Sequence, residues 1–97
     1  MDDLQTATIE EVRAEVRRLV VACKPLCPEL TREDVEAWPA LSLWERRARG
    51  YDSGALQLIE ASLWLRDGGD VGTGRRLVRM WPQWMLREVE AGDVVRA

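Results

Sequence analysis

Apolar residues at Ile9, Val12, Val16, Leu19 and Cys23 recur three and four positions apart, a spacing that a helix turns into one continuous face. Thr8 stands in front of this run with Glu11 three residues on. That pair forms a capping box, in which hydroxyl and carboxylate each take an otherwise unpartnered backbone N–H. Charges occupy the remaining faces, with Glu10 and Arg13, and Glu15 and Arg18, at i,i+3 spacing. Pro25 restricts the residue before it and ends the segment, so the spacing predicts a helix over residues 9–24.

The same punctuation divides the rest of the chain. Residues 24–30 form a connector stiffened by Pro25 and Pro28. Thr31 caps a short helix over 32–38, with Glu33 and Asp34 at the positive end of its dipole, and Pro39 ends it. Ser42 with Glu45 is a second capping box, starting a helix over 43–49 that Gly50 terminates. Asp52 or Ser53 caps a helix over 54–67, whose Leu56, Ile59 and Leu63 mark one face with Leu58 and Leu65 beside it. So broad an apolar surface predicts a central element. Gly68 and Gly69 close that helix. A last stretch over 74–91 is expected, capped by Thr73, kinked or broken near Pro82, and stopped by Gly92.

No segment alternates apolar and polar residues as a strand does. The reading is an all-α chain, a small single-domain bundle of about five helices, with residues 1–7 and 93–97 frayed. The longest apolar run is Leu19 to Cys23, far short of a membrane span, and the acidic start is unlike a signal peptide, so the cytoplasm is the expected compartment. Arginine outnumbers lysine thirteen to one, and Phe, Asn and His are absent. This is the composition of a GC-rich genome, a bacterium's or its phage's, and it weakens any inference from arginine content alone.

Several chemistries lose their residues. Without histidine there is no Ser–His–Asp or Cys–His arrangement and no His-containing zinc site. Cys23 and Cys27 are spaced C-x3-C rather than C-x2-C, and Cys23 falls on the apolar stripe, so they read as a buried small hydrophobe and a loop cysteine. The acidic pairs sit in first turns, where they complement helix dipoles. The segment Gly69-Asp-Val-Gly-Thr-Gly74-Arg75-Arg76 has the glycine spacing of a phosphate loop. It carries arginine where lysine and Ser/Thr are required, and a helix precedes it rather than a strand. No catalytic residue, metal, cofactor or small-molecule substrate is expected.

Two sets of candidate binding residues remain. Trp81, Trp84 and Met85 flank Pro82 at a helix break, and Trp and Met are enriched in interface cores. Trp81 and Met85 lie one turn apart and also suit a core. Trp84 points about 100° away from Met85 and is the better surface candidate. Arg75, Arg76 and Arg79, with Arg46 and Arg47, form a candidate anion or nucleic-acid patch, provided Thr73 places Arg75 and Arg76 in a helix's first turn. The net charge of −3 opposes that reading. A helix-turn-helix over 32–49 is disfavoured by Pro39 and by the acidic start of its first helix.

The expected function is therefore a non-catalytic interaction or regulatory protein. It would bind another protein, or a second copy as a homodimer, through a tryptophan-bearing apolar surface. Nucleic-acid binding through arginines is the alternative.

Overall fold

Five helices among the described residues begin where a side-chain oxygen holds the first turn. The computed structural model describes residues 3–96, with side chains from Gln5 to Ala91. A single turn, α1 (Asp3–Thr6), leads to α2 (Ile9–Cys23), whose cap is the expected box: Thr8 Oγ1 accepts from the Glu11 N–H at 3.2 Å, and Glu11 Oε1 accepts from the Thr8 N–H at 3.0 Å. Boxes of the same form start α3 (Arg32–Ala37), from Thr31 and Asp34, and α4 (Leu43–Arg49), from Ser42 and Glu45. Asp52 caps α5 (Ser53–Asp67) by accepting from the Ala55 N–H at 2.9 Å. Short 3-10 turns at Lys24–Leu26 and Trp38–Ala40 carry Pro25 and Pro39 as their middle residues. The fold is all-α, with no strand among the described residues.

The last expected helix is two. α6 (Val71–Arg79) ends at Met80, and after Trp81-Pro82 the chain starts α7 (Gln83–Arg96), with the Pro82 carbonyl accepting from the Met85 N–H at 3.1 Å. The cap of α6 is Asp70, not Thr73. The Asp70 carboxylate accepts from both the N–H and the hydroxyl of Thr73, at 3.1 and 2.6 Å. A carboxylate at a helix start gains from the dipole as well as from the hydrogen bond, and so displaces the hydroxyl. Gly92 does not stop α7. A glycine ends a helix by taking positive φ, and among the described residues only Gly50 and Gly68 do so. Within a helix a glycine costs about 1 kcal/mol and is tolerated.

The core forms where the stripe of α2 meets the other long helices. Val12, Val16, Leu19 and Cys23 pack with Ala55, Leu58, Ala61 and Trp64 of α5, Leu77 and Val78 of α6, Trp81, and Met85 of α7. The stripe is thus consumed within the chain. On α5 the buried side is Ala55, Leu58, Ile59, Ala61 and Trp64, while Leu56 is exposed and Leu63 only half-buried. The expected Leu56–Ile59–Leu63 face is therefore turned. Alanines on the inner side let α2 approach, and the indole of Trp64 fills the space beyond. The body extends 38 × 35 × 18 Å, about two helix layers thick. No helix of the described residues is long and apolar enough to cross a membrane.

Candidate functional site

α4 is built inside out. Its sequence, Leu-Trp-Glu-Arg-Arg-Ala-Arg, carries no residue that the fold buries. The two large apolar side chains point outward, with Leu43 60% and Trp44 77% exposed. The side chain turned toward the body is an arginine. Arg46 donates to the Trp38 carbonyl at 3.0 Å, and its guanidinium lies 5.3 Å from the centroid of the buried Trp38 ring. Its Nε is buried with no acceptor among the described residues. Arg49 adds a second tether, with Nη1 2.9 Å from Oδ1 of Asp34. The Thr31 hydroxyl and backbone N–H hold the Asp34 carboxyl below its ordinary value, with Tyr51 and Arg49 contributing.

Between α4 and the start of α5 lies an open groove of about 400 Å³, lined by Trp38, Leu43, Arg46, Arg47, Gly50, Tyr51 and Leu56. Trp38 and Tyr51 form its floor, their ring centroids 5.9 Å apart and tilted by 42°. Burial and the neighbouring Asp34 push the Tyr51 phenol up from its ordinary value. Gly50 ends α4 at φ 67° and turns the chain toward α5. At the rim the Arg47 guanidinium lies 5.8 Å from the centroid of Trp44. This contact sets Trp44 beside Arg47, which lines the groove.

The expected surface around Pro82 is mostly interior. Trp81 is 2% exposed and Met85 is fully buried, so both are core and neither is available to a partner. The break at Pro82 turns the first turn of α7 inward, which closes Trp81 and Met85 over Cys23 and Gly54. Among the described residues the Trp81 indole N–H has no hydrogen-bond partner of proper geometry, yet it offsets part of the rise that burial imposes on the Cys23 thiol. Trp84 is 38% exposed. Its ring lies against Gly54, where an added Cβ would come within 2.5 Å of Cζ2. Trp84 is as much a packing residue as a surface one.

The arginines do not form one patch. With Asp70 as cap, Arg75 and Arg76 lie beyond the first turn of α6, so the expected anion site at that helix start is not formed; Asp70 occupies it. Arg75 instead donates to the Ala7 carbonyl at 2.9 Å and ties the entry of α2 to α6. Arg76 lines a groove with Gln57, Glu60, Leu77 and Met80, where a carboxylate is present. Arg79 is exposed on α6. That groove contains none of the α4 arginines, and the groove of Arg46 and Arg47 contains none from α6.

The glycine-rich segment is accounted for by packing. Trp64 lies between Gly69 and Gly74, and its Nε1 donates to the Asp70 carbonyl at 3.0 Å. Arg13 covers the outer side of the ring at 5.7 Å and donates to the Leu65 carbonyl at 2.9 Å. Cys27, expected in a loop, is as buried as Cys23, and burial pushes both thiols up. Among the described residues no three His, Cys, Asp or Glu side chains are grouped to hold a metal.

Comparison with protein-family models, with curated proteins and with solved structures gave no match.

Sequence reasoning missed Trp44. A seven-residue helix without an apolar stripe does not declare which side meets the body, so the sequence offered five tryptophans and no local reason to choose this one.

Proposed function

We propose that this protein acts by binding another protein through the surface of α4, and that it carries out no chemistry of its own. The observation that carries the reading is the inversion of α4: Leu43 and Trp44 outside, Arg46 inside. Local rules of burial are broken in natural proteins chiefly where function requires it. A tryptophan left in water next to an open apolar groove has the chemistry of an interface anchor. Its face is small, the partner's contact being a few side chains wide.

The non-catalytic half of the proposal is supported by what the reactive groups are engaged in. The chain has no histidine, both thiols are packed in the core, and the Gly69–Gly74 segment houses an indole. The nucleic-acid alternative draws on Arg46 and Arg47, which line a groove free of carboxylates. Against it, Arg46 is spent on Trp38, Arg49 on Asp34, and Arg75 on Ala7.

The test compares wild type, Trp44→Ala and Trp84→Ala as baits in lysate of the native host. Retained proteins are then identified and their affinities re-measured with purified components. A partner that loses affinity for Trp44→Ala, and keeps it for Trp84→Ala, supports the assignment. A partner indifferent to Trp44 refutes it.

A further inference from the structure

We propose that the groove between α4 and the start of α5 receives a short acidic segment of a partner protein, with an apolar side chain seated in the groove and a flanking carboxylate on Arg47. The inference rests on the interaction reading above and adds the partner's chemistry.

Charge is the first support. The groove is lined by two arginines and no Asp or Glu, in a chain whose net charge is −3. Arg47 makes no ion pair among the described residues; its guanidinium lies over the exposed Trp44 ring. A contact with one aromatic ring leaves N–H groups of the guanidinium for a carboxylate, which a guanidinium can grip in bidentate fashion. An exposed aromatic with an arginine beside it therefore offers one apolar contact and one anion contact side by side.

Size is the second. The exposed parts of Leu43, Trp44 and Leu56 amount to a few hundred Å², on the scale of one or two aromatic side chains. A stable dimer needs about 800 Å² from each partner. The surface fits a short segment bearing one or two anchors.

Symmetry is the third. A second copy docking through this face about a two-fold axis would set the α4 arginines of one copy against those of the other. Like charges brought together on a small interface oppose association.

The experiment selects peptides from a random-sequence display library on the immobilised full chain, then measures the recovered peptides against wild type, Trp44→Ala and Arg47→Glu. Melting curves establish that both variants are folded. The expected peptides carry Asp and Glu around a bulky apolar residue and lose about tenfold or more in affinity for each variant, the effect of removing an interface anchor. Peptides that depend on Trp44 but are neutral or basic would overturn the acidic assignment while leaving the interaction surface standing. Peptides that bind Trp44→Ala as well as wild type, or a library that yields none, would overturn both. Sedimentation of a dimer that Trp44→Ala dissociates would put a second copy in the groove. Retention on single-stranded DNA that Arg47→Glu abolishes and Trp44→Ala preserves would make the groove a nucleic-acid site. Either result contradicts the proposal.

Discussion

A Cβ on Gly74 would collide with Cζ2 of Trp64, standing closer than real Cβ atoms approach a neighbour. Gly74 lies inside α6, and the indole occupies the space its missing side chain leaves. Phosphate-loop spacing in this chain is thus the imprint of a tryptophan.

Gly74→Ala tests this directly. Replacing a helical glycine by alanine ordinarily stabilises by about 1 kcal/mol. Here the new methyl would collide with Trp64 and with Cγ1 of Val12 at 2.7 Å, both in the core. Overpacking of this kind costs about 1–3 kcal/mol, and rings held on several sides yield little. The net effect expected is destabilisation, read as a lower denaturation midpoint. A rise would show that the cradle is loose.

The tryptophans divide by role. Trp81→Ala removes a buried ring and is expected to cost about 3–5 kcal/mol in denaturant unfolding. Trp44→Ala removes an exposed one and is expected to change stability by about 0.5 kcal/mol or less. Equal losses would contradict the placement of α4.

Much of the fold was legible because its signals are local. The boxes Thr8/Glu11 and Ser42/Glu45, and the stripe from Val12 to Cys23, are each complete within a turn or two of chain. The errors are tertiary. Choosing Asp70 over Thr73 as the cap of α6 depends on the carboxylate gripping Thr73 and on the Trp64 indole fixing the Asp70 carbonyl. Cys27 lies in the connector, as expected, but its burial there was not legible in the local sequence. Trp44 was hidden for a related reason: the inner side of α4 is set by Trp38, which attracts Arg46 from outside the helix.

Stability should fall in acid through the helix caps. Glu11, Glu45, Asp34 and Asp70 are each held below their ordinary values, chiefly by hydrogen bonds from the hydroxyls and backbone N–H groups of Thr8, Ser42, Thr31 and Thr73. A carboxyl whose folded pKa is depressed stabilises the fold fully above its unfolded value. That contribution is lost as pH falls through the ordinary carboxylate range toward the folded one. Melting temperature should therefore be level near neutrality and decline in that acidic window. Glu11→Gln should reduce the slope of the decline. A melting temperature that rises on acidification would contradict the cap assignments.

The two thiols should be inert while the chain is folded. Both are buried and pushed up from the ordinary thiol value, chiefly by that burial. A thiol-specific chromogenic reagent should label neither at neutral pH and both in denaturant. Rapid labelling of the native chain would mean that the region around Trp81 opens readily.

The central claim is that α4, and not the tryptophan-rich start of α7, is the face that meets a partner. Amide hydrogen exchange, with and without the tightest peptide from the library, measures this most directly. Added protection confined to residues 43–56, with α7 unchanged, is the predicted result. Protection centred on Trp84, with α4 exchanging as in the unbound chain, would contradict it.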